Sequence, residues 1–377
     1  MVVYGTRPEA IKLAPLIGEL QRSRGFRVRV AVTGQHREML DQVNEVFDIV
    51  PAHDLDIIQP RQSLEQVTCA ALTGLTELVR VERPDAVLIQ GDTTTAFAGA
   101  LAGFYEHVPV VHLEAGLRTG HWDTPFPEEM NRRLVTQLTR LHLAPTRGAR
   151  AHLLREGVDP ATVVVTGNTV VDALLWTVGR RLPYTDPYLS VFLERHPRTV
   201  LVTAHRRESW GAPMAAIARA LATIARTHPD VGIVLPAHLN PTVRETLLPP
   251  LRSLPNVLVT DPLPYGEFCH LMSDCSVILT DSGGVQEEAP SLGKPLLVMR
   301  ESTERPEGVV AGAARLVGTY ETAIVDGVQQ ELRGLDGGPR VSRQNPYGDG
   351  AASKRAAAAI GAMLGMGERL PDFEPGE

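Results

Sequence analysis

Short apolar runs alternate along the first half of the chain with longer segments whose apolar positions recur at helical spacing. The runs at 1–4, 27–32, 86–90, 109–113, 141–144 and 163–166 predict strands, and each leads through polar or Gly-rich residues into a helical pattern. Strands joined in this way by helices build a parallel sheet covered on both faces. Between Arg180 and Arg198 the pattern breaks at Pro183, Pro187 and Pro197, so 181–198 reads as a linker. A second series then opens, with strands expected at 199–203, 231–235, 256–260, 276–280 and 295–299. The predicted fold is α/β, with two Rossmann-like domains over 1–180 and 199–350. An Ala-rich helix at 351–363 is a candidate to cross back to the first domain, and the residues from Gly367 on read as a loose tail.

Length and composition agree with this division. A chain of 377 residues exceeds the size at which one core stops growing, so two domains of about 180 residues are expected. A formal charge of -7 argues against a nucleic-acid partner while leaving room for a local basic pocket. Cys69, Cys269 and Cys275 are odd in number and lack metal-type spacing, so they read as reduced thiols. No basic-then-apolar leader opens the sequence, and no apolar stretch approaches the roughly 18 residues that would span a bilayer. A cytoplasmic protein without a membrane partner is expected.

The polar clusters after the predicted strands carry the candidate chemistry, because ligands of open α/β sheets bind at the carboxyl ends of strands. Gly5-Thr6-Arg7-Pro8-Glu9 precedes a helix containing Lys12, which predicts cations and free backbone N–H groups suited to phosphate. A solvent-facing turn is the plain alternative, since neither a GxGxxG nor a P-loop pattern is present. Asp281-Ser282-Gly283-Gly284 opens a second such helix, with Glu288 one turn in and Arg305 nearby; an ordinary N-cap is the alternative there. Asp92, Glu114 and Glu128 follow successive strands of the first domain. Asp92 could instead cap a helix, and Glu128 and Arg132, spaced i, i+4, could form a surface ion pair. His205, after the first strand of the second series, is the leading histidine. His112-Leu113-Glu114 lacks the PCxxC of a zinc deaminase, no HExxH occurs, and no metal site is predicted.

Taken together, these segments resemble the non-hydrolysing UDP-N-acetylglucosamine 2-epimerase family. The resemblance is carried by GTRPEAIKLAPL (5–16), TGQHREMLDQV (33–43), GDTTT (91–95), HLEAGLRTG (112–120), PFPEEMNR (125–132) and APT (144–146). It continues through GNTVVDAL (167–174), TAHRRES (203–209), LPYGEF (263–268), LTDSGGVQEEAPSLGKP (279–295), TERPEG (303–308) and NPYGDG (345–350). It implies a GT-B architecture with the active site in a cleft between the domains. Asp92, Glu114 and Glu128 would be the acid/base carboxylates, with His205 assisting near the diphosphate. Arg7, Lys12, Arg132, Phe268, Ser282, Gly283, Gly284, Glu288 and Arg305 would bind the UDP-sugar. Gln35, Arg206 and His238 would serve a second, activating UDP-sugar, as in some bacterial members. The implied reaction inverts C2 of UDP-N-acetylglucosamine by anti elimination of UDP to a 2-acetamidoglucal and re-addition. It needs neither a nicotinamide nor a metal, and a homodimer is expected. Only four residues precede Gly5, so a short first strand is expected. A hydrolysing epimerase, a GT-B glycosyltransferase and a silent sugar-nucleotide sensor are the competing readings.

Overall fold

The structure, a computed structural model, describes residues 1–34, 37–59, 61–180, 183–335 and 345–375. The chain divides into two compact units. One comprises Met1–Ala173 with Tyr347–Pro375, and the other is Leu174–Pro346.

The first unit holds seven parallel strands: β1 (Val2–Tyr4), β2 (Val30–Val32), β3 (His53–Asp54), β4 (Val87–Gln90), β5 (Val110–Leu113), β6 (Leu141–Ala144) and β7 (Val163–Val165). Their order is β3-β2-β1-β4-β5-β6-β7, so the chain fills one side from β1 and then returns to fill the other from β4. The core on one face joins Val3, Val87 and Ile89 of the sheet to Val67, Leu75 and Val79 of the helix Leu64–Glu82. Ala96, Ala98, Ala100 and Ala102 of the helix Thr94–Tyr105 are buried in the same cluster. Small side chains there let this helix lie close to the sheet.

The second unit repeats the plan with β8 (Arg198–Thr203), β9 (Val231–Pro236), β10 (Val257–Thr260), β11 (Val277–Thr280), β12 (Leu296–Val298) and β13 (Arg315–Leu316), all parallel. The order is β10-β9-β8-β11-β12-β13, which reverses between β8 and β11.

Three features depart from the sequence reading. β3 and β13 were not predicted, because two-residue edge strands carry no readable alternation. The segment read as a linker contains the helix Pro187–Arg195, capped by Asp186, whose carboxylate accepts from the Tyr188 N–H at 2.8 Å. Pro187 stands at the first helical position, where the missing N–H costs nothing, so it starts the helix and does not break the pattern. Tyr184 donates to Asp274 at 2.6 Å, which ties this segment to the second unit. The residues after Gly367 are not loose: the Phe373 N–H donates to the Val165 carbonyl at 2.7 Å, and the Phe373 ring is 3% exposed.

The helix Ala352–Met363 belongs to the first unit. Its start is held by the buried Asp172 carboxylate, which accepts from the N–H of Ala352 at 3.2 Å and of Ser353 at 2.8 Å. Among the described residues no helix is long and apolar enough to cross a membrane.

Candidate active site

Loops at the carboxyl ends of two neighbouring strands diverge where the strand order reverses, and the crevice they leave is the ligand site of open α/β sheets. In the first unit this point lies between β1 and β4, whose ends lead into Gly5-Thr6-Arg7 and Gly91-Asp92-Thr93. In the second it lies between β8 and β11, which lead into Ala204-His205-Arg206 and Asp281-Ser282-Gly283.

Gly5 is required by crowding: a Cβ there would meet Thr33 Oγ1 at 2.2 Å and Thr95 Oγ1 at 2.5 Å. The helix Arg7–Arg22 follows, with a capping box between Thr6 and Glu9. Glu9 Oε2 accepts from the N–H of Gly5 at 3.0 Å and of Thr6 at 2.8 Å, and Oε1 accepts from Thr93 Oγ1 at 2.7 Å. The free N–H groups expected at this turn are therefore corrected: Glu9 occupies those of Gly5 and Thr6. Arg7 is half-buried and makes no ion pair among the described residues, which leaves its guanidinium open to an anion.

Thr93, not Asp92, caps the helix Thr94–Tyr105, accepting from the Ala96 N–H at 3.0 Å. That frees the Asp92 carboxylate, whose Oδ2 accepts from Arg132 Nε at 3.1 Å and from Nη2. Arg132, on the helix Glu128–Leu138, is 6% exposed and also gives Nη1 to Glu129 Oε2 at 3.0 Å. The i, i+4 pair between Glu128 and Arg132 does not form. Glu129 takes that place, also accepting from Arg133 Nε at 3.1 Å and the Thr119 N–H at 3.1 Å. Burial alone would raise Glu129, but these donors outweigh it and hold its carboxyl below the usual range. Glu128 is half-buried and unpartnered among the described residues.

Glu114 leaves β5 with φ of 64°, a left-handed conformation that costs a non-glycine residue on the order of 1–3 kcal/mol and tends to mark functional positions. Its Oε1 accepts from Lys12 Nζ and lies 3.4 Å from Asn168 Nδ2, while Oε2 accepts from Gln90 Nε2. Lys12, expected on the nucleotide, is thus paired with Glu114. Arg132, also expected on the sugar nucleotide, is paired with Asp92 and Glu129. His112 plays a structural part: its Nε2 lies 2.7 Å from the Gly91 carbonyl, at the turn that presents Asp92. Burial, more than its neighbours, pushes the His112 pKa down to about 3, so the ring is neutral and donates this bond. Among the described residues no cluster of His, Cys, Asp or Glu is arranged to hold a metal.

In the second unit, Asp281 is fully buried. Its Oδ2 accepts from the N–H of His205 at 2.7 Å and of Arg206 at 2.9 Å, and Oδ1 lies 3.1 Å from His205 Nδ1. Desolvation works to raise the Asp281 carboxyl, but the histidine and the two N–H groups overcome it and hold it low. Ser282 gives its N–H to Thr280 Oγ1 at 2.9 Å and precedes the short helix Gly283–Glu288. Arg305 lies against Gly283, where a Cβ would come within 2.7 Å of its Cζ. Its Nε pairs with Glu287 at 2.9 Å. Thr303 Oγ1 donates to Gln286 at 2.6 Å, which fixes the loop carrying Arg305. Glu288 accepts from Tyr265 Oη at 3.1 Å, and Phe268 is half-buried on the helix Tyr265–Asp274. Arg206 and His238 both flank His205; Gln35 lies outside the described residues.

Residues 18–361 match the UDP-N-acetylglucosamine 2-epimerase family. The chain belongs to that family. It is 50% identical over 367 residues to the UDP-N-acetylglucosamine 2-epimerase of Escherichia coli strain K12, covering 96% of this chain and 97% of the relative. The enzyme of that name from Yersinia pestis is 49% identical over 366 residues, with the same coverage. The crystal structure of the Neisseria meningitidis UDP-GlcNAc 2-epimerase bound to UDP-GlcNAc superposes with a TM-score of 0.84 at 43% identity, covering 97% of this chain and 99% of that one. The two parallel-sheet units of this epimerase are the pair from which GT-B proteins are built.

Sequence reasoning passed over Gln90, Glu129, Asn131 and Asn168 in the epimerase's two clusters, and it took Asp281 only as part of a helix start. Asn131 donates Nδ2 to the Asp92 carbonyl at 2.9 Å. All but Gln90, which ends a predicted strand, stand inside motifs that were legible, but their parts depend on pairings between elements distant in the chain. Glu129 also sits beside Glu128, and residue type cannot tell which of the two turns inward.

Proposed function

We propose that this protein interconverts UDP-N-acetylglucosamine and UDP-N-acetylmannosamine without hydrolysis, through a 2-acetamidoglucal. The C2 proton of a hexosamine has no adjacent carbonyl to acidify it, so its removal must accompany departure of a leaving group. A carboxylate takes the C2 proton, the C–H electron pair becomes the C1=C2 bond, and the C1–O bond breaks with its electrons going to UDP. The reverse sequence delivers a proton to the other face of C2 while the UDP oxygen re-forms its bond to C1. Two faces require two differently placed acid/base groups.

The observation that carries this reading is the separate support of two carboxylates on adjacent strand ends. Asp92 rests against Arg132, and Glu114 against Lys12, Gln90 and Asn168. Each acid is held by a different cationic partner, which fixes two carboxylates at separate places and so allows one to serve each face of C2. Glu128, unpartnered among the described residues, is the third member. Arg305, with the Ser282–Gly284 turn and His205, takes the diphosphate, where fixed donors stabilise the charge that develops as UDP leaves; Arg7 is the cation that the first unit offers to an anion. Glu288 receives the ribose, and Phe268 is a further nucleotide contact.

The test is to incubate the protein with UDP-N-acetylglucosamine in D2O and follow C1 and C2 by NMR, with Asp92→Asn and Glu128→Gln alongside. The manno epimer should appear with deuterium at C2, and each variant should lose on the order of 10²-fold or more in rate. Free N-acetylmannosamine with stoichiometric UDP would replace this reading with a hydrolysing one. Epimerisation that retains the protium at C2 would overturn the elimination itself.

A further inference from the structure

At the β8/β11 switch point one buried atom stands out. Asp281 Oδ1 is fully enclosed, and no backbone N–H or hydroxyl donor reaches it among the described residues; the nitrogen facing it is His205 Nδ1, 3.1 Å away. The other oxygen already accepts two backbone N–H groups. A buried carboxylate oxygen left without a donor is costly. A proton on His205 Nδ1 removes that cost, and it leaves Nε2 as the nitrogen on the far side of a ring that is 39% exposed.

We propose that Asp281 is a positioning residue that acts through His205, holding the proton on Nδ1 so that Nε2 is the nitrogen presented to the substrate's diphosphate. The assignment of a diphosphate partner rests on the epimerase reading above; the tautomer does not. Among the described residues, Asp281 and His238 face the ring, and Arg206, next in the chain, gives its Nε to the Asp281 carbonyl at 3.3 Å. The His238 ring stacks on His205 with centroids 5.7 Å apart and planes 15° from parallel. His238 Nδ1 accepts from the Asn240 N–H at 3.1 Å, so that nitrogen carries no proton. Burial, and then the charge of His205, push His238 down, which keeps it a neutral face against its neighbour.

Replacing Asp281 by Asn makes a sharp distinction. The N–H groups of His205 and Arg206 would hold the amide oxygen where Oδ2 now sits, which turns the amide NH2 toward Nδ1. A donor facing Nδ1 forces that nitrogen to be unprotonated and moves the neutral ring's proton to Nε2.

The experiment is 15N NMR of histidine-labelled full-length protein without ligand between pH 5 and 9, with the His205 signals identified by their loss in His205→Gln. Steady-state kinetics of wild type and Asp281→Asn accompany it. In the wild type, His205 Nδ1 should bear its proton throughout. In Asp281→Asn the neutral ring should carry it on Nε2, and kcat should drop on the order of 10²-fold or more with KM within a few-fold. A neutral wild-type His205 protonated on Nε2 would overturn the proposal whether or not the variant folds. So would an Asp281→Asn protein with unchanged tautomer and kcat. A wild type that does not epimerise UDP-N-acetylglucosamine would count against the epimerase reading alone, since the nitrogen shifts are read on unliganded protein.

Discussion

Glu9→Gln offers a test of how the β1/β4 site is held. Glu9 is fully buried between the start of the helix Arg7–Arg22 and Thr93, and burial raises its pKa from the ordinary 4.5 to about 7 against the opposing pull of its hydrogen bonds from Thr93, Thr6 and Gly5. The folded state therefore keeps the Glu9 proton over a range in which the unfolded chain has lost it. Below about pH 4.5 both states are protonated. Between about pH 4.5 and 7 the unfolded state binds fewer protons, so stability falls as pH rises, and above about 7 the loss is complete. At about 1.4 kcal/mol per unit, the loss reaches about 3 kcal/mol. Glutamine matches the site: one oxygen accepts both backbone N–H groups, as Oε2 does now, and its NH2 faces the Thr93 hydroxyl, which can accept. The variant lacks the titrating proton, so it should equal the wild type near pH 4.5 and exceed it by about 3 kcal/mol at pH 8. Hydrogen exchange of the Arg7–Arg22 amides with and without urea, across pH 5–8, would follow the unit concerned. A difference that stays flat over this range, or a variant less stable than wild type at pH 8, would refute the reasoning.

Other consequences can be checked more simply. Gly5→Ala drives a methyl to within 2.2 Å of Thr33 Oγ1, and overpacking of this kind should cost about 1–3 kcal/mol in urea unfolding; adding Thr33→Ala should recover part of it. Phe373→Ala opens the pocket closed by a ring that is 3% exposed. It should lose about 3 kcal/mol, and limited proteolysis should cut the chain after Gly367 faster. Arg305→Ala removes a cationic partner of the buried Glu287 and a cation from the Gly283 turn. Its dissociation constant for UDP by calorimetry should rise on the order of tenfold or more; unchanged UDP affinity would remove Arg305 from the nucleotide's contacts.

What the sequence made legible follows from how locally each feature is encoded. Eleven of the strands are dense in Val, Ile and Leu or close to it, and their positions can be read from single runs. Their order in each sheet makes the ends of β1, β4, β8 and β11 the natural ligand points. Asp92 and His205 could thus be singled out as residues following strands. Illegible were the partners that decide what those residues do. Glu9 was counted within a phosphate turn, yet it consumes the donors of that turn. Lys12 was read as a nucleotide ligand, yet it reaches across the sheet to Glu114, 102 positions away in the chain. Asp281 was read as part of a helix start, yet its carboxylate turns back to His205, 76 positions earlier. In each case the residue type fits both roles, and the choice is made by a pairing that exists only once the parallel strands lie side by side. A charged residue at a strand end is therefore a site candidate on sequence alone, but its protonation state and its partner are properties of the strand order. The His205 tautomer and the pH dependence of Glu9 are the two places where that dependence becomes measurable.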